Sequence, residues 1–151
     1  MSKSRWIVAG VILFTTVACG SGMSAEEEFA QKQAADGLAE IKADLANGED
    51  PKYNCAASQS YASKLTTDEG KAIAAELEQV CGFDTPLLSA TQAVEKAEKA
   101  RKANPDKNPL SECYSAYYKS GMETLNEKGH GDKPDVQKLS KRWDKVCPPK
   151  S

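Results

Sequence analysis

Two stretches of the chain share one spacing, and that spacing restricts the fold more than any other feature. In DPKYNC (Asp50 to Cys55) and NPLSEC (Asn108 to Cys113) a helix-capping residue precedes proline, three residues follow, and then a cysteine. A small residue, Ser58 or Ala116, comes three positions later, and the offset between the copies is 58 throughout. Further on, Ile73, Leu77, Val80 and Cys81 match Leu139, Trp143, Val146 and Cys147 at an offset of 66, as an insertion around the Gly129 to Pro134 loop would give.

The duplication predicts an all-α protein of two tandem three-helix units, each with a disulfide-clamped helical hairpin. From a turn near Asp68, Cys55 and Cys81 lie thirteen residues away in either direction. Antiparallel helices rising about 1.5 Å per residue return both to one level. Cys113 and Cys147 stand similarly to either side of a longer turn. Four cysteines allow three pairings, and this geometry selects Cys55 with Cys81 and Cys113 with Cys147. Each bridge closes a loop of roughly 25 to 35 residues and contributes about 3 to 4 kcal/mol in the chain-entropy model.

The rest of the core needs that help. Of the 133 residues from Cys19 onward, nine Leu, four Val, two Ile and two Phe are strong core formers, a share at which disorder competes with folding. Bridges in an oxidising compartment offset the missing apolar surface. The compartment is read from the start of the chain. Lys3 and Arg5 precede thirteen uncharged residues, Trp6 to Ala18, too short a run for a membrane span but suited to an export signal. With Val17, Ala18 and Cys19 at its end, the segment resembles a bacterial lipoprotein signal; the resemblance covers about twenty residues. It implies cleavage before Cys19 and lipidation of Cys19 on sulfur and on the new amine. The resemblance implies a lipoprotein of the cell membrane or the outer membrane, and Gly20 rather than Asp in the next position favours the outer membrane, facing the periplasm, if the bacterium is diderm. Thr16 departs from the aliphatic residue usual in that pattern. Using Cys19 as anchor leaves an even four cysteines.

The chain accordingly divides into a signal peptide (1–18), a lipidated cysteine with a short tether (19–25), a first helical unit (26–83) and a second (84–151). Ser24 and Glu27 have capping-box spacing and open a helix with Phe29, Leu38, Ile41 and Leu45 on one side, ended by Asn47 and Gly48. Asp50 followed by Pro51 opens the second helix, and Thr66 with Glu69 caps the third, which Gly82 should stop after Cys81. Thr85 and Pro86 begin a fourth, with a narrow face of Ala90, Ala93, Val94, Ala97 and Ala100 and outer pairs of Glu95 with Lys99 and Glu98 with Lys102. Asn108 and Pro109 begin the fifth, and Pro134 the sixth, which buries Val136, Leu139, Trp143 and Val146. No segment alternates with period two, so no sheet is expected.

Little in the sequence points to chemistry. Asn104, Asp106, Asn108 and Glu112 are spaced like oxygen ligands, but an EF-hand loop needs glycine and a carboxylate where Pro109 and Ser115 stand. That stretch is a helix-capping turn. His130, the single histidine, reads as an exposed loop residue with no second or third partner. No phosphate-binding loop or nucleophile elbow occurs. We expect no catalytic residues, no metal and no cofactor. Removal of Lys3 and Arg5 leaves 18 positive against 22 negative side chains, so neither nucleic acid nor an anionic lipid surface is an electrostatic partner.

The densest aromatic group is Tyr114, Tyr117 and Tyr118 with Trp143. Tyr117, four residues after Cys113, should face inward, leaving Tyr114 and Tyr118 as candidates for contact with a partner. The expectation is a membrane-anchored envelope protein that binds or scaffolds, with an envelope protein as partner and the lipid as membrane contact. The alternative is a small-ligand carrier with a closed cavity between the units, lined by Phe29, Phe83, Tyr117 and Trp143.

Overall fold

The computed structural model describes residues 23–107 and 110–148. The signal segment, Cys19 and the Asn108–Pro109 pair therefore lie outside the described residues. Those described form an all-α fold with no strand among them. We label the helices α1 (Ala25–Asn47), α2 (Lys52–Ala62), α3 (Asp68–Gln79), α4 (Thr85–Ala103), α5 (Ala116–Glu127) and α6 (Pro134–Val146).

Helix α1 starts where Ser24 Oγ accepts the Glu27 amide at 3.2 Å. It ends at Gly48, whose φ of 73° lets the amides of Gly48 and Glu49 close back on Leu45 and Asp44. Its inward line is Ala30, Ala34, Leu38 and Ile41. Phe29, expected on that line, is one position off it and 56% exposed, its ring edge-on to Tyr61. Pro51, not Asp50, occupies the cap position of α2. At α3 the cap is Thr67, whose hydroxyl accepts the Gly70 amide. The expected cap, Thr66, instead donates its amide and its hydroxyl to Glu27. Glu27 thus ties the α2–α3 turn to the start of α1 rather than completing a capping box. These hydrogen bonds, first the one from the Thr66 hydroxyl, hold its carboxyl below the usual value.

The largest departure from expectation lies at Gly82. The helix does not stop there. Val80–Asp84 forms a π turn that leads from α3 directly into α4, with the Thr85 amide bonded to the Val80 carbonyl. Gly82 keeps a right-handed backbone, for Gly48 and Gly129 are the positive-φ glycines among the described residues. Pro86 cannot donate a backbone hydrogen bond, and the wider turn accommodates that loss inside a continuing helix. Helices of 12 and 19 residues and the five-residue turn make one continuous helical run, here called the rod, with a contour of about 54 Å at 1.5 Å per residue. The boundary read at 83/84 falls within this turn, so the two units share a helix.

Two helices, α1 and α2, pack on the lower half of the rod, α3, and α5 and α6 lie against the upper half, α4. Both bridges form as expected. Cys55 and Cys81 are 5.6 Å apart at Cα, and Cys113 and Cys147 are 5.4 Å apart. The second clamp differs from the expected hairpin. Cys113 sits in a 3-10 turn, Ser111–Tyr114, and the chain is extended at Ser115 before α5 begins at Ala116. The main packing partner of both α5 and α6 is α4.

Close approach explains how so few large side chains suffice. A Cβ on Gly121 of α5 would come within 2.7 Å of the Pro86 carbonyl oxygen and 3.1 Å of Ala90 Cβ. In the lower half, Gly37 of α1 has the buried Ser58 of α2 in the space where a Cβ would go. Small residues let backbones meet where bulk is lacking.

Candidate binding groove

Along the upper rod, α4 presents Pro86, Ser89, Ala93 and Lys96 as a stripe at helical spacing. Opposite it, α5 contributes Tyr117, Ser120, Gly121 and Thr124, also three and four apart. Between and beside these stripes lie three adjoining depressions of about 210, 300 and 350 Å³. Asp50 and the Cys55–Cys81 bridge close one end, and Ser111, Glu112 and Tyr114 of the 3-10 turn close the other. Tyr117 borders all three depressions and is 67% exposed; Tyr114 is 62% exposed.

The frame around this groove is fixed. Thr85 is buried, and its hydroxyl lies 3.7 Å from Cys55 Sγ, donating because a bridged sulfur carries no hydrogen. Gln92 donates to the Gly48 carbonyl and joins the rod to the end of α1. The loop after α5 clasps the end of α3 and the π turn: Lys128 Nζ meets Glu78 at 2.6 Å, His130 stands edge-on to Phe83 at 5.0 Å, and Lys133 lies over the same ring at 3.7 Å. His130, expected as an exposed loop residue, is half-buried by that contact. At the end closed by the 3-10 turn the Glu112 carboxyl is held below its usual value, first by its own backbone amide and then by the Ser111 hydroxyl, with Lys107 and Lys96 adding in the same direction. It remains anionic beside Lys96.

The tyrosines fall differently from the expected arrangement. Because Ser115 interrupts the helix, Cys113 and Tyr117 are not one turn apart on a single face. The inward line of α5 is Tyr118, Gly121, Met122 and Leu125. Tyr118 is stacked on Trp143, with centroids 3.8 Å apart and planes 8° apart. Burial raises its phenol pKa, against a hydrogen bond with Ser140 that lowers it. Of the two residues read as partner contacts, Tyr114 lines the groove and Tyr118 lies on Trp143. Tyr117, expected inside, is the groove's central ring. Counting back from Leu125 in steps of three and four would have found the inward line without help from Cys113.

The rings named for a closed cavity do not converge. Phe29 meets Tyr61, Phe83 meets His130, Trp143 meets Tyr118, and Tyr117 faces the groove. Among the described residues no three His, Cys, Asp or Glu side chains are grouped to hold a metal. Comparison of the chain with protein-family models, curated proteins and solved structures gives no match.

Proposed function

We propose that the mature chain is a lipid-anchored envelope protein that binds or scaffolds without catalysis of its own, and that the Tyr117 groove is its contact surface. The observation that carries this reading is the exposure of Tyr117 and Tyr114 on a frame fixed by a disulfide and by helix packing. Rigid aromatic side chains at a surface supply contact area at small entropic cost, and they are enriched where proteins bind others.

The anchor gives the groove a direction. Cys19 stands six residues before the start of α1, and the 23 residues of α1 span about 34 Å. Asp50, at one end of the groove, lies just beyond the far end of α1. Lipid on Cys19 would hold the groove off the bilayer surface, in the periplasm if the lipid sits in the outer membrane. No helix among the described residues is long and apolar enough to cross a membrane.

Fractionation tests the anchor: Cys19→Ala should move the protein from the membrane to the soluble fraction, and retention in the membrane would refute lipid attachment. A photo-crosslinking side chain at position 117 tests the surface. Adducts in native membranes are expected there and not at Lys71, an exposed position on α3; equal labelling at both would refute the groove as the contact surface.

A further inference from the structure

We infer that the Tyr117 groove takes a polysaccharide chain, with sugar ring faces against Tyr117 and their hydroxyls bonded along the α4 and α5 stripes. This rests on the reading of the groove as a contact surface and adds its ligand class. Among the described residues, no Leu, Ile, Val, Met or Phe lines any of the three depressions. An amphipathic helix needs apolar anchors at helical spacing, an acyl chain needs an aliphatic slot, and a peptide that adds as a β-strand needs a sheet edge. The lining provides none of these.

What it does provide is flat aromatic surface edged with hydroxyl, amide and charged groups. Ser89, Gln92, Lys96, Ser115 and Ser120 surround the Tyr117 ring. A pyranose is the complement of such a lining. Its axial C–H bonds form apolar faces that rest on the electron-rich face of an aromatic ring, and its equatorial hydroxyls both donate and accept around the rim. Single tyrosine walls in small apolar pockets do not favour a polymer over a monomer. Here one ring borders three depressions in series, sharing Ser89 and Asp50 on one side and Ala93, Lys96 and Ser115 on the other. Successive units of one chain fill such a series better than separate small molecules. By contrast, the depression bordered by Leu45, Val80 and Leu88 together with Lys42, Glu76, Gln79 and Asp84 has no aromatic side chain among the described residues, so it serves as an internal comparison.

The test is calorimetric titration of the full mature protein, in detergent, with neutral chito-oligosaccharides from disaccharide to hexasaccharide. Affinity should rise with chain length, and Tyr117→Ala should weaken hexasaccharide binding about tenfold. Tyr117→Phe keeps the ring and should stay within about threefold of wild type. Both variants alter an exposed side chain, and unchanged circular dichroism and melting separate lost binding from lost fold. Absence of binding at every length, or equal binding by wild type and Tyr117→Ala, overturns the inference. The position-117 crosslinker distinguishes this failure from failure of the broader reading. Adducts trimmed by a glycosidase support a sugar chain; purely protein adducts overturn the ligand class and leave a binding surface, and no adducts at all overturn both.

Discussion

The two halves of the molecule carry matching bridges but surround them differently. In residues 26–83, Cys55 belongs to one continuous buried cluster with Ala30, Ala34, Leu38, Ile41, Leu65, Leu77 and Val80. In the second half, Ala97, Leu110, Val146 and Cys147 form one buried patch and Ala90, Val94 and Leu139 another, Trp143 packs against both, and Leu125 and Val136 are fully buried besides. The charges differ as well. The first half has twelve acidic and five basic side chains, the second ten acidic and thirteen basic. A duplicated cysteine spacing therefore does not dictate a duplicated core. The first half pools its burial in one cluster that includes its bridge, whereas the second divides comparable burial between two patches, of which one includes its bridge.

Removing the bridges one at a time should break this comparison open, and it carries the largest effect. The double change Cys113→Ser with Cys147→Ser is expected to cost about 3 to 4 kcal/mol. Hydrogen exchange should rise throughout α5 and α6 while α1–α3 stay protected. The same change at Cys55 and Cys81 frees the π turn where the halves meet, so protection should fall on both sides of it. Uniform loss in both experiments would mean that the halves are one cooperative unit.

Gly121→Ala comes next, at about 1 to 3 kcal/mol of destabilisation, because the new methyl meets a backbone carbonyl that cannot swing away. Helix propensity alone would give the opposite sign. In the first half, Gly37→Ala meets the Ser58 side chain, so Ser58→Ala should recover part of the loss in the pair. Denaturant titration of the four variants measures both effects. Equal losses for the two glycines, with no recovery, would remove the distinction between backbone and side-chain contact.

A smaller effect concerns the seam of α4 and α6. Arg142 donates to both oxygens of Glu98 at 3.0 and 2.9 Å, in place of the expected Glu98–Lys102 pair on an outer face. This hydrogen bonding is the main reason the Glu98 carboxyl titrates below its usual value, with Arg142 raised in turn. A carboxyl lowered in the folded state stabilises it fully above the unfolded value of about 4.3 and loses that contribution as pH falls through the folded value. With both side chains about one-third exposed, the gap between wild type and Glu98→Gln should be at most about 1 kcal/mol at neutral pH. It should close as pH falls through the folded value, below about 4.3, and a gap that persisted in acid with Glu98 protonated would refute the charge pairing. Smallest is Lys128→Ala at the junction, where the half-exposed pair with Glu78 should contribute a few tenths of a kcal/mol; a larger loss in thermal melts would show that the clasp does more than tether the loop.

Much of the fold is legible from neighbours in sequence. The Ser24 cap, the Gly48 termination, the small-residue face of α4, the buried line of α6 and the cysteine pairing all follow from spacing within one helix or one hairpin. The groove was less legible. Assigning Tyr117 to the interior assumed that one helix ran from Cys113, and Ser115 breaks that run. Glu98 had several lysines within one turn, and only the position of α6 made Arg142 its partner.

By itself, then, the sequence determined that the described chain is helical, where most helices begin, and which cysteines can meet, since these depend on backbone preferences and on distances along the chain. Tertiary structure decided whether Gly82 ends a helix or lies inside one, and which side of α5 faces solvent. A glycine followed by a threonine–proline pair is compatible with either outcome at Gly82. The choice was made by the packing of α5 and of the 128–133 loop against the π turn, contacts that join residues some fifty positions apart, beyond the reach of any local signal.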